Sequence, residues 1–292
     1  MNTFSRSFAL VKSSWHVLRQ DKELMALPVL ATVTSILLTL PLLGGALVGF
    51  SSGNVAQSSA ATDTTTTLGA GDIVGLILLG LAYFVGAYVV IFFQAALVLA
   101  ANERMSGGNP TLSTALAAAW ENKGRVASWA LISATVSLVL QAVQEKAGFI
   151  GRLVVGALGL AWALVTIMVL PVLVIEKVGV KEAFTKSADA FKRTWGESMV
   201  GNGGIGLVSF LLGLAVVAVS LPFILLGANG SNGLLLGLGI VILIVGILAV
   251  SIFSAALNGV FRTALYRYAI LGDEFGGFTH EQISGAFKPK KG

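Results

Sequence analysis

The sequence predicts an all-α, polytopic membrane protein: six transmembrane helices, with amphipathic interfacial helices on the cytoplasmic side. Three observations carry this. Of 292 residues, 55% are hydrophobic and 11% charged, where a soluble domain has about 25% charged residues. Six stretches reach the roughly 20 apolar residues needed to cross a bilayer. Seventeen of the 19 Lys and Arg residues fall in alternate inter-span segments. With a mean hydropathy of +0.87, these observations exclude a soluble enzyme, a disordered chain and a disulfide scaffold.

The chain opens with Phe4, Phe8, Val11, Trp15 and Leu18, spaced 4, 3, 4 and 3. That spacing predicts one apolar helical stripe. Span 1 follows near 27–50. Its apolar run is too long and starts too late for a cleaved signal peptide, so it is expected to act as a signal anchor. Residues 51–70 are rich in Ser and Thr and low in charge, which predicts a flexible external loop. Span 2 lies near 72–101. Asn109-Pro110-Thr111 then predicts a helix start with Pro in the first turn, and Leu112, Leu116 and Trp120 continue a second stripe. Span 3 lies near 126–144 and span 4 near 152–175. Phe184, Ala188, Phe191 and Trp195 form a third stripe, with Lys181, Lys186, Asp189, Lys192 and Arg193 on the polar face. Such helices are expected to lie flat at the interface with Trp15, Trp120 and Trp195 at headgroup depth. Span 5 lies near 200–227 and span 6 near 233–262. Spans 2 and 6 run to about 45 Å at about 1.5 Å per residue, so they must tilt or project.

Lys and Arg set the orientation. They precede span 1, lie between spans 2 and 3 and between spans 4 and 5, and follow span 6; the loops between spans 1 and 2 and between spans 5 and 6 contain none, and the short loop between spans 3 and 4 holds the other two, Lys146 and Arg152. Both termini are therefore expected in the cytoplasm, in a plasma or inner cell membrane. The organisation is one six-span domain over 1–272 with a cytoplasmic tail, 273–292, that ends in the basic run Lys288-Pro289-Lys290-Lys291. The three stripes suggest parallel helical-hairpin repeats over 1–105, 106–177 and 178–272.

Motifs for chemistry are sparse. The chain has no Cys and two His, so no zinc, haem or iron–sulfur pattern can be written. Gly201-Asn202-Gly203-Gly204-Ile205-Gly206 has dinucleotide-loop spacing but lacks the preceding strand and the later acid. No cofactor, metal or catalytic residue is expected, and no nucleic-acid partner. Small-xxx-small pairs (Gly45 with Gly49, Gly71 with Gly75, Gly233 with Gly237, Ala255 with Gly259) are expected to pack helices closely. Pro41, Pro171 and Pro222 lie in spans, where each can kink a helix. All 14 acids sit in loops or at span ends, unlike the mid-depth carboxylates of many ion-coupled transporters. Gln94 is the best candidate for an intramembrane polar role.

The run Trp15-His16-Val17-Leu18-Arg19-Gln20-Asp21-Lys22-Glu23-Leu24, followed by Pro28-Val29-Leu30, resembles a known pattern. So do Ala264-Leu265-Tyr266-Arg267-Tyr268-Ala269 and the tail from Phe278 to Phe287. Together they resemble an uncharacterised family of six-span bacterial and archaeal integral membrane proteins, a domain of unknown function. The resemblance implies a membrane location and a helical fold, and it implies no activity. The expected function is non-enzymatic: organising lipid or a membrane partner protein, with the bilayer itself as partner and self-association as a further option. The alternative is a transporter, channel or permease-like subunit for a neutral or lipidic solute.

Overall fold

The computed structural model describes residue 14 and residues 22–58, 69–195, 204–230 and 232–272. Among the described residues there are nine α-helices and no strand. They are α1 (Lys22–Ser58), α2 (Ala70–Met105), α3 (Leu112–Glu121), α4 (Lys123–Lys146), α5 (Phe149–Val165), α6 (Val169–Ile175), α7 (Val180–Trp195), α8 (Gly204–Asn229) and α9 (Gly233–Tyr266). A π-helical turn, Arg267–Leu271, extends α9. Six helical stretches are long and apolar enough to cross a membrane, the architecture of a multi-pass membrane protein. Trp15 and its stripe, and the tail 273–292, lie outside the described residues.

Spanning helices pair as hairpins: α1 on α2, α4 on α5, α8 on α9. The first crossing is tight because Gly49 has no side chain. A Cβ there would lie 2.9 Å from both Gly71 O and Gly75 N, backbone atoms that cannot step aside. Gly49→Leu is therefore expected to part α1 from α2 and cost about 1–3 kcal/mol, measurable by unfolding in mixed micelles. In the third hairpin, Gly233 and Gly237 face open space, and Gly239 takes the close contact against Phe223 and Ile224. Spacing alone could not tell which glycine of α9 faces α8. Ser209 and Ser254 also share a 2.7 Å hydrogen bond across this pair.

The hairpins meet at one end. There the start of α1, the α2–α3 junction and the α6–α7 turn converge. Glu23 Oε2 accepts a 2.8 Å bond from the Leu112 amide, and Lys177 pairs with Glu121 at 3.2 Å. Arg104, Lys123, Lys177 and Lys181 belong to these junctions, which makes this the basic end. The core lies here. It contains Leu27, residues 95–101 of α2, Val126 and Trp129, nearly all of α6, and residues 256–266 of α9. The extra turns of α2 and α9 are thus buried in protein. The far halves of the hairpins keep Leu37, Leu47, Ile77, Phe210, Val241 and many like them exposed. Such faces suit lipid tails, which are as apolar as leucine.

Three details depart from the sequence reading. Residues 51–58 continue α1 instead of opening the loop; Ser51 and Ser52 hydroxyls return to Val48 O and leave the helical backbone uninterrupted. Helix α3 starts one residue after Thr111, whose side chain accepts from the Thr114 amide. Pro110 therefore precedes the cap and does not enter the first turn. The fourth span is broken in two at Thr166–Met168. Pro171 sits in the first turn of α6, where an amide would have no intrahelical acceptor. In a continuous helix its ring would clash with the carbonyl four residues back.

Candidate functional site

Breaking a helix frees backbone groups. Around Thr166–Met168, the Val165 carbonyl and the Met168 amide lose their helical partners, and Met168 is fully buried. Ser187 of α7 serves both. Its Oγ donates to Val165 O at 2.6 Å and accepts from Met168 N at 3.3 Å. One hydroxyl from outside the span thus closes the gap.

Ser187 reaches that point because α7 buries Ala183, Ser187, Ala190 and Phe191, one face of a helix by spacing. Of the expected stripe, Phe191 belongs to this buried face, and Phe184 and Ala188 are half-buried beside it. The small residues let α7 approach α6 closely. Phe184 packs at a tilt against Trp162 with ring centres 5.8 Å apart, and Trp162 stacks on Trp129 at 6.1 Å. This ladder ties α7 to α5 and α4.

The other face of α7 is charged. With Glu176 and Ile270 it encloses a groove of about 740 Å³, lined also by Lys186, Asp189, Lys192 and Arg193. Lys186 is held at 2.7 Å by Glu176 and at 2.9 Å by Glu182; Tyr266 OH donates to the other oxygen of Glu176 at 3.3 Å. The bond to Glu176, then that to Glu182, holds the Lys186 ammonium above the ordinary lysine range, against the desolvation that lowers it. A raised folded-state value contributes stability that is fully present below the unfolded value of about 10.4 and lost as pH rises above it. The thermal midpoint should therefore fall above about pH 10, and less steeply in Lys186→Met.

Lys192 and Arg193 are exposed and have no hydrogen bond or ion pair among the described residues. Trp120 is also exposed, with Phe92 edge-on at 6.3 Å and Lys123 Nζ 4.4 Å from its ring centre. The Trp195 side chain lies outside the described residues.

A second polar feature joins α2 to α9. Arg262 Nη1 approaches Gln94 Oε1 at 3.5 Å. Arg267 Nη1 donates to Asn102 Oδ1 at 2.9 Å and to Ser106 Oγ at 2.8 Å. The sequence reading placed both arginines beyond span 6 and did not single out Asn102, Ser106 or Ser187. A signal for the first two existed: Gln94, Asn102 and Ser106 are spaced 8 and 4, which puts them on one helical face. For Ser187 there was none.

The chain matches a family of unknown function, DUF6159, over residues 73–277. It belongs to that family. The matched segment holds the broken span, α7, the groove and the α2–α9 seam. Among the residues behind the sequence resemblance, 264–269 fall inside it and 15–30 before it. No curated protein and no solved structure matches the chain. Membership in DUF6159 carries no activity with it; the membrane architecture rests on the six apolar helices.

Proposed function

We propose that this DUF6159 member is a non-enzymatic integral membrane protein of the plasma or inner membrane, with both termini cytoplasmic, that organises lipid at the cytoplasmic leaflet. One observation carries the reading. Helix α7 lies across the basic end with one face buried on α6 and the other presenting Lys192 and Arg193, which have no ion pair among the described residues. A helix of that kind suits the interface, where basic side chains attract anionic lipid by about 1 kcal/mol each. The apolar far halves of the hairpins supply a broad surface for acyl chains. Of the carboxylates at this end, Glu176 and Glu182 are engaged with Lys186 and Glu121 with Lys177, while Asp189 has no ion pair among the described residues.

The transport reading draws on the broken fourth span, since discontinuous helices line many transport sites. Here Ser187 satisfies the break and α6 is buried in protein. Neither Gln94 nor Pro171 lines the basic groove or the groove of about 560 Å³ between α1 and α2. Lipid organisation is therefore the reading we favour. The test is lipid retention: protein extracted in mild detergent should hold anionic phospholipid severalfold enriched over the bulk membrane. A bulk-like composition, together with accelerated release of small neutral solutes from proteoliposomes, would reverse the order of the two readings.

A further inference from the structure

We propose that the groove between α7, the end of α6 and the π-helical turn binds the phosphate of an anionic phospholipid whose headgroup carries free hydroxyls. This rests on the lipid-organising reading for the source of the phosphate; the residues and geometry are independent of it. A groove of about 740 Å³ falls within the range that holds small ligands. The charges on its walls are divided. Lys186 is neutralised by Glu176 and Glu182. Lys192 and Arg193 line the same groove with no bonding partner among the described residues. Two adjacent uncompensated cations, one with a planar donor fork, are the donor set that grips phosphate.

Asp189 also lines the groove, with no ion pair among the described residues. A carboxylate beside a phosphate site repels a bare phosphomonoester and accepts hydrogen bonds from hydroxyls. A phosphodiester with a glycerol-type headgroup satisfies both sides: phosphate on Lys192 and Arg193, hydroxyls on Asp189. Ile270 gives the groove an apolar wall on which the glycerol backbone of the lipid can rest. Both cations project from the exposed face of α7, so their replacement leaves the buried face untouched.

The test is native mass spectrometry of the full chain titrated with phosphatidylglycerol, phosphatidic acid, phosphatidylcholine and soluble glycerol 3-phosphate. Phosphatidylglycerol should bind most tightly, and the double variant Lys192→Gln/Arg193→Gln should weaken it by about tenfold or more. Lys181→Gln, on the same helix but outside the groove, should leave it unchanged. Asp189→Asn should shrink the preference for phosphatidylglycerol over phosphatidic acid. Equal binding by the double variant and the parent overturns the site, even where the parent enriches anionic lipid. Glycerol 3-phosphate bound as tightly as phosphatidylglycerol overturns the lipid as source. If the parent binds all the lipids alike, both this site and the lipid-organising reading fall.

Discussion

Ser187→Ala should lower the unfolding free energy by about 2–4 kcal/mol, because it strands two backbone groups at once. The Val165 carbonyl and the Met168 amide bond to the same hydroxyl. Each group left unpaired costs about 1–3 kcal/mol, and the site is sealed, with Ser187 and Met168 fully buried. Relaxation of the Thr166–Met168 turn keeps the sum toward the lower end. The control lies on the same helix: Thr185 is exposed and its hydroxyl merely returns to Lys181 O. Thr185→Ala should stay within about 0.5 kcal/mol. Unfolding both variants in mixed detergent micelles separates the two cases. Equal stability of the variants would mean that Ser187 does not hold the break. Amide exchange at α6 gives a second readout, since Ser187→Ala should speed it and Thr185→Ala should not.

Asn102→Leu should cost about 1.5–3 kcal/mol, the range for a lost hydrogen bond to a charged group. Arg267 is buried, and its guanidinium bonds to Asn102 and Ser106 on α2. Leucine preserves bulk but offers no acceptor. Arg267→Met should cost less than Asn102→Leu, because it removes the charge that needs satisfying and leaves Ser106 exposed to other partners. The double variant should recover part of the loss, with a coupling of about 1–3 kcal/mol. Arg267→Lys should not restore the parent, since an ammonium lacks the planar fork. Strict additivity of Asn102→Leu and Arg267→Met would show that the pair carries no energy between α2 and α9.

These two contacts show how far the sequence could be read. Hydropathy located all six spans, although it misplaced some ends: α1 runs to Ser58, past the end at 50 read for span 1. It found them because a bilayer imposes on each segment separately a length of about 20 apolar residues. Lengths of α2 and α9 beyond that were legible as well. Their use was not: the surplus turns, residues 95–105 and 256–266, build the packed end of the bundle. Gln94 stood out because an amide is rare inside an apolar run. Its neighbour Arg262 did not, because the first charge after an apolar run reads as the end of a span whether or not the helix continues.

Composition and order alone therefore determined the class of the molecule: all-helical, six times long and apolar enough to cross a membrane, with its cations in alternate segments. These are local properties, and the surrounding solvent reads them one segment at a time. Tertiary structure decided the rest. A span apolar on every side carries no mark of which face meets protein and which meets lipid. The choice of Gly239 over Gly233 and Gly237, the division of the fourth span and the α2–α9 seam all depend on that rotation. Ser187 repairs a break 22 residues away from it in sequence, and Arg267 finds Asn102 across 165. Only the packed bundle brings such partners within hydrogen-bonding distance, and only there do Lys192 and Arg193 share a groove with Asp189.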